Sequence, residues 1–569
     1  MPVVPKSWFV AGSIFGAIAW GPAAARSAPQ VQQSPADSVE RARALHVLNR
    51  LTFGPRPGDV DRVVAMGVDR YIEQQLNPEK IRDDQVARHL ARLKVLRTGP
   101  EDLARIYLEE QRARLERQRA AGPDSVADTR RMLPERQDVA LSPARRLAGE
   151  FQQAAVVRAT LSERQLYEVM ADFWTNHFNV FLAKGADRFL MPEYIERTIR
   201  PNVLGRFEDL LVATAHSPAM LFYLDNVQSV TPGARPPQLE RLERARRAMA
   251  RGRPGRFPGR ADPRQLDSLK ARIEQRIPQG LNENYARELL ELHTLGVDGG
   301  YTQQDVINAA RILTGWSMTP PPQGARFVFN DWAHDRGEKV VVGRFFPAGR
   351  GEEEGEELLR FLARHPSTMR HVSAKLCARF VADDPPDGCI DAGVHAWERT
   401  GGDIPEVLRA IFQSPEFWAP AYRGAKVKTP LEFVVSAVRA VGGEPDTTLA
   451  LAQVVSRLGQ PLYLQPPPTG YPETQDSWVN SGALLERLNI ALGIAAGRAP
   501  GAVVDAQALI PAWTDSYELA DFVNRRVLNG TASLNTLRVM REQTADLPPD
   551  RARVVALGLA LGSPEFQRQ

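Results

Sequence analysis

Gly280-Leu-Asn-Glu-Asn-Tyr-Ala-Arg-Glu-Leu-Leu-Glu-Leu-His-Thr-Leu-Gly296, running on to Thr314-Gly315-Trp316, decides how this chain reads. Its apolar residues recur at helical spacing and the run stops on glycine, which predicts a single helix with a C-terminal stop. Asn, Tyr, Arg, three Glu and one His share that helix with the apolar stripe. Few scaffold helices carry so many ionisable groups on one short stretch.

The same periodicity extends outward in both directions. Apolar residues at three-to-four spacing fill 39–51, 57–76, 85–118, 142–160, 162–181, 192–203 and 207–216 before the stretch. After it they fill 302–314, 355–365, 368–381, 404–412, 430–441, 449–458, 477–496, 517–527, 533–545 and 551–561. One strand pair interrupts them, 326–330 with 339–343, joined through Asp331 to Gly337. The expected fold is all-α, a multi-helix globular bundle of helix pairs with one small β-hairpin. Ala410-Ile-Phe-Gln-Ser-Pro-Glu-Phe417 and Leu559-Ala-Leu-Gly-Ser-Pro-Glu-Phe566 repeat one helix-to-helix corner, and Ala215-His-Ser-Pro-Ala219 is a looser copy. In that corner Ser is the expected N-cap, Pro takes the first helical position and Glu complements the dipole.

With 569 residues the chain buries a large core, and 43% hydrophobic with 25% charged residues excludes a wholly disordered or fibrous protein. Net charge is +4, yet residues 231–260 hold nine Arg against Glu240 and Glu243 alone. That run reads as a solvated insertion, or as a patch for an anionic partner. No motif for nucleic acid is present. Residues 1–28 read as a Sec-type secretory leader: Lys6 opens it, Trp8 to Trp20 is mostly apolar, and small residues follow at Ala23, Ala24, Ala25 and Ala28. Thirteen helical residues span about 20 Å, short of the roughly 30 Å a bilayer core requires. Cleavage would leave no transmembrane segment and a periplasmic or extracellular protein. The expected organisation is a leader at 1–28, a flexible segment at 29–41 and one helical domain over 42–569, with mobile excursions at 119–141 and 228–275. Cys377 and Cys389, the two cysteines, either form one local disulfide or leave a buried thiol on a helix and another in a loop.

No zincin, phosphate-loop, nucleophile-elbow or dinucleotide signature occurs, so any chemistry must be assembled by folding. Four places supply the residue types. On the opening helix Glu283, Arg287 and Glu291 form a four-step charge ladder, Glu288 lies near Glu291, and His293 faces the core. A lone core histidine is most often a satisfied packing residue; the functional alternative is a ligand or general base. Asp172-Phe-Trp-Thr-Asn-His-Phe-Asn-Val-Phe181 places Phe173, Trp174, His177, Phe178 and Phe181 on one side and Asp172, Asn176 and Asn179 on another. This is an aromatic core helix with a polar edge, or a buried polar site around His177. The turn Asp331 to Lys339 crowds Asp331, His334, Asp335 and Lys339, as ordinary turn chemistry or as a loop site. Lastly, Gly459 to Pro472 carries three successive prolines beside Tyr471, Trp478, Asn480 and Ser481. It reads as a stiff brace, or as a platform for stacking and hydrogen-bonding a sugar.

The chain resembles the bacterial domain-of-unknown-function family 1800. The resemblance is carried by Arg50-Leu-Thr-Phe-Gly-Pro55, Pro57-Gly-Asp59, Tyr71-Ile-Glu-Gln-Gln-Leu76, Phe173-Trp-Thr-Asn-His-Phe178 and Leu221-Phe-Tyr-Leu-Asp-Asn226. The stretch from Asn282 to Thr302, Thr314-Gly-Trp316, His334-Asp335 with Gly337 and Lys339, and Lys375-Leu-Cys377 extend it. Lys428-Thr-Pro-Leu-Glu432, Gly459-Gln-Pro461 and Pro467-Pro-Thr-Gly-Tyr-Pro472 complete it. It implies an exported protein, often encoded beside a partner of family 1501 related to sulfatase-like folds, and assigns no catalytic residues.

Three functions are therefore carried forward. The first is an envelope or extracellular accessory protein working with such a partner. The second is an exported hydrolase, metal-dependent if a divalent ion is held by His177, Glu288, His293 and His334, with Glu291 and Asp335 as further catalytic candidates. The third is a saccharide- or anionic-polymer-binding module using the proline-rich loop and the Arg-rich run at 231–260; the candidate binding residues are Asn176, Asn179, Arg287, Lys339, Tyr471 and Trp478.

Overall fold

Serine and proline set the corners of this helical chain. The computed structural model describes residues 35–120, 142–250, 263–275 and 280–569, and the structural statements below concern these. Ser414 Oγ and Ser563 Oγ accept from the amides of Phe417 and Phe566, both at 3.3 Å, and the intervening proline opens the short helix each time. The looser copy also has Pro218 at the first turn, but Ser217 makes no side-chain cap. Glu565 also accepts from Ser533 N and Thr536 Oγ1, each at 2.9 Å, so it caps the start of the neighbouring helix Leu534–Thr544.

The architecture is all-α with small sheets, and the strand pairing differs from the expectation. Strand β1 (Trp316–Met318) pairs antiparallel with β2 (Phe327–Phe329), and β3 (Lys339–Val341) pairs with β4 (Arg344–Phe346). A third two-stranded ladder joins β5 (Glu444–Pro445) to β6 (Ala502–Val503). Segments 326–330 and 339–343 therefore do not pair with each other. The cause lies in the turns: Gly343, at φ 76°, closes β3 directly onto β4, and Gly324, at φ 95°, returns the chain to β1.

The opening stretch is helical but not uniform. Asn284–Glu288 is α-helix, and Leu289–Thr294 continues it as a π-helix. In the wider register Glu291 leaves the four-step ladder: Arg287 pairs with Glu283 at 3.1 Å, whereas Glu291 accepts from Tyr301 Oη at 3.3 Å. A second π segment, Tyr194–Ile199, follows the helix Asp187–Glu193.

Two expected irregular regions contain helices. The first described helix, Pro35–Leu51, starts inside the segment 29–41. Within 228–275, Pro237–Ala250 and Pro263–Glu274 pack together through Arg246–Asp267 at 2.9 Å and Lys270–Glu243 at 3.0 Å. Arg235 and Arg247 of the basic run also pair with Glu243, and Arg244 with Glu240. Residues 1–34, 121–141, 251–262 and 276–279, which take in the expected leader, lie outside the described residues.

The core is continuous through the helices, with Trp174, Trp316 and Trp397 each no more than 1% exposed. Among the described residues no helix is long and apolar enough to cross a membrane. Cys377 and Cys389 are disulfide-bonded, Cα to Cα 6.2 Å, and tie the helix Pro366–Phe380 to the helix Asp387–Thr400. Closing a loop with this sequence separation of 12 restricts the unfolded chain by about 3 kcal/mol. Replacing both cysteines with alanine is expected to lower unfolding free energy by that amount in urea titrations. Dithiothreitol should reproduce the loss in the native protein and leave the variant unchanged.

Candidate functional site

The helices Gln165–His177 and Pro366–Phe380 enclose a polar seam under the proline-rich loop. The first helix turns Phe173, Trp174 and His177 into the core and presents Asp172, Thr175 and Asn176 to a cavity of about 50 Å³. Arg379, Gln460, Tyr463, Tyr471 and Glu473 line the other walls. The loop is held by amides at the end of the same helix. Asn176 donates to Tyr471 O at 2.8 Å and accepts from Tyr471 N at 2.7 Å. Asn179 donates to Gln465 O at 3.0 Å and to Pro467 O at 2.9 Å. Gly470 is required here: its φ is +72°, and a Cβ would collide with the Asn176 carbonyl. Tyr471 Oη donates to Pro461 O at 2.7 Å and Trp478 Nε1 to Pro472 O at 2.9 Å. Four residues proposed as ligand contacts therefore spend these polar groups on bracing the loop.

Charge in the seam centres on Arg379. It forms a buried ion pair with Glu432 and lies 3.8 Å from Glu473. Burial opposes its charge, but Glu432, Glu473 and Asp172 outweigh that and hold the guanidinium above its ordinary range. Burial likewise opposes ionisation of Glu432, yet Arg379, Gln569 and the Thr429 amide bring it down to about 2. Glu432 also completes the capping box of its own helix, Pro430–Ala440, with Thr429. Asp172 behaves oppositely. Burial, reinforced by Glu473 and Glu432 against the pull of Arg379, pushes its carboxyl up to about 7.

Three imidazoles adjoin the seam. His177 Nε2 lies 3.2 Å from His293 O, and the ring centroids of His293 and His371 are 6.2 and 6.4 Å from that of His177. Burial, with Lys375 nearby, lowers all three, His293 to about 3 and His371 to about 4. They are neutral at physiological pH. Lys375 is itself lowered by burial and feels Glu473. Both π segments hold the end of the same helix: Tyr194 Oη donates to Phe178 O at 2.8 Å, and the His293 carbonyl receives His177. Such π segments recur at functional sites.

The remaining candidates lie apart from the seam. His334 accompanies Thr314 and Glu354: Nδ1 is 2.9 Å from Thr314 O and Nε2 3.4 Å from Glu354 Oε2. Lys339 Nζ meets the same carboxylate oxygen at 2.7 Å, and all three side chains are at most 1% exposed. Asp335 receives two bonds of 3.0 Å from Arg311. Arg287 donates to Gln303 Oε1 at 3.0 Å. Glu288 is raised by burial and by Glu291. Among the described residues the one set of three or more His, Cys, Asp or Glu whose ligand atoms all fall within 4.8 Å is His216, Glu352 and Glu356. The expected quartet of His177, Glu288, His293 and His334 is not gathered into one coordination sphere. The reason is topological, since His177 and His293 meet at the end of one helix while His334 closes the turn before β3 and is committed to Glu354.

In the sequence Asp172 stands out only as part of a polar edge and Glu432 only within the stretch 428–432 that carries the family resemblance, while Arg379 and Glu473 have no distinguishing context. One signal was available: His371, Lys375 and Arg379 recur every four residues and so share a helix face.

Two measurements follow from these environments. An unfolded Asp titrates near about 3.9 and the folded Asp172 near 7, so its contribution favours folding below the lower value and disappears as pH rises through the upper one. Asp172→Asn should gain roughly 1–4 kcal/mol over the native protein between pH 4 and pH 8, read from urea midpoints at both. Lys339→Met leaves Glu354 buried without its cation and should cost about 3–5 kcal/mol. The double variant Lys339→Met/Glu354→Leu should recover most of that in the same assay.

The family model described as "Protein of unknown function (DUF1800)" matches residues 46–568. No curated protein and no solved structure matches the chain. The match runs through every element of the seam, from Asp172 to Glu473, and nearly the whole chain belongs to the DUF1800 family.

Proposed function

We propose that this is an exported hydrolase whose acid–base centre is the seam, with Asp172 as general acid and Glu473 as the carboxylate that activates water. The reading rests on one observation above others. Asp172 is a carboxyl raised to about 7 that faces a cavity shared with Arg379 and Glu473. A group with such a value exchanges protons readily at neutral pH, which is what general acid catalysis needs. In the hydrolytic step Asp172 gives its proton to the leaving atom as the scissile bond breaks. Water supplies hydroxide to the electrophilic centre and its other proton to Glu473, and exchange with solvent restores both carboxyls. A cavity of about 50 Å³ holds a few waters, so the scissile group enters while the rest of a polar substrate stays outside.

The accessory-protein reading is favoured by a different observation. Val479, Leu484 and Leu485 are 40%, 44% and 61% exposed, and with Val427 and Pro564 they line one open groove. Exposed apolar strips of this kind mark protein contacts.

Screening the mature protein against chromogenic esters, glycosides, phosphoesters and peptides tests the first reading. Activity is expected to fall at least about a hundredfold in Asp172→Asn, with the fold retained. A native protein inert across the panel, with Asp172 titrating near 4 by carbon-13 NMR, would remove the acid–base role.

A further inference from the structure

We infer that His216, Glu352 and Glu356 form a binding site for a divalent first-row transition ion, independent of the seam. His216 follows the helix Phe207–Ala215, and the two glutamates stand one turn apart at the start of the helix Glu352–Ala363, which packs against it. Their ligand atoms all lie within 4.8 Å of one another.

Two of the three donors, His216 and Glu356, are oriented for this role by separate partners. His216 Nδ1 lies 2.9 Å from Val212 O, so that nitrogen carries the proton and Nε2 keeps its lone pair. The ring is fixed by stacking on Trp316, centroids 4.6 Å apart, and by the edge contact with Phe327 at 4.5 Å. Arg360 donates to Glu356 Oε2 at 2.8 Å, leaving Oε1 to face the imidazole. That Nε2 to Oε1 separation is 3.9 Å. Tetrahedral legs of about 2.0 Å bring two donors to about 3.3 Å, a change that small side-chain rotations supply. Glu352 lies on the same helix face as Glu356, where two like charges repel unless a cation lies between them.

One imidazole with two carboxylates suits zinc or manganese, whereas calcium takes oxygen donors. All three residues are only partly buried, which leaves the remaining coordination positions to water and gives the ion an entry path.

The competing explanation is a plain His216–Glu356 ion pair. Glu352 separates the two, because that pair does not use it. The full mature chain, stripped with a chelator, is dialysed against zinc, manganese or calcium chloride and its metal content measured by plasma mass spectrometry. The expected result is close to one zinc or manganese per native chain, none retained by His216→Ala, and binding at least about tenfold weaker in Glu352→Gln. His334→Ala is expected to keep the metal. Cobalt should quench the Trp316 contribution to fluorescence, so quenching falls in Trp316→Phe while its metal content stays. Equal metal content in the native chain and Glu352→Gln, or none in either, would overturn the assignment. Among the described residues Glu352 makes no ion pair, so this variant keeps the test meaningful if His216→Ala fails to fold.

Discussion

The Arg379–Glu432 ion pair organises the molecule. It joins the helix Pro366–Phe380 to the helix Pro430–Ala440, and Glu432 extends the link to the last residue through Gln569 Nε2 at 2.9 Å. The chain end is held there by backbone pairing as well, with Lys428 N donating to Gln567 O at 2.9 Å and Gln569 N to Lys426 O at 2.9 Å. Two fully desolvated charges are a net cost unless their remaining valences are filled. Here Thr429, Gln569 and Glu473 fill them, so the pair specifies one arrangement of four separate segments instead of merely adding attraction.

Asp172 inherits its character from that arrangement. Near Arg379 alone, a carboxyl would be pulled toward ionisation. Because Arg379 already satisfies Glu432 and Glu473, its field at Asp172 is largely cancelled and burial wins. The three imidazoles beyond are also left neutral by burial and by Lys375. One seam thus brings together charged groups, a protonatable carboxyl and uncharged nitrogen bases.

Much of the fold was legible because helices advertise themselves by period, caps and prolines. Thr429-Pro-Leu-Glu432 and the Ser-Pro-Glu-Phe corners behave locally as their residues dictate. Strand pairing is less legible because it depends on which glycine turns the chain, and the turns at Gly343 and Gly324 prevail over the longer Asp331–Gly337 connection. The seam was half legible. Asn176, Asn179, His177 and Tyr471 were visible as polar groups in unusual company, but nothing in their spacing says that they hold a loop instead of a ligand. Arg379 and Glu432 lie 53 positions apart in sequence, and ordinary helical context hid both. The π segment at Leu289–Thr294 was equally silent, since a single widened turn leaves the apolar pattern almost intact.

The Cys377–Cys389 bond takes on a second meaning in this setting. Cys377 sits two positions from both Lys375 and Arg379, on the helix that supplies one wall of the seam. The crosslink therefore fixes the rotation of that helix as well as its stability. The wall that carries Lys375 and Arg379 is thus anchored twice, covalently to the helix Asp387–Thr400 and by charge to Glu432, so the position of the guanidinium is set by two neighbours that do not depend on each other.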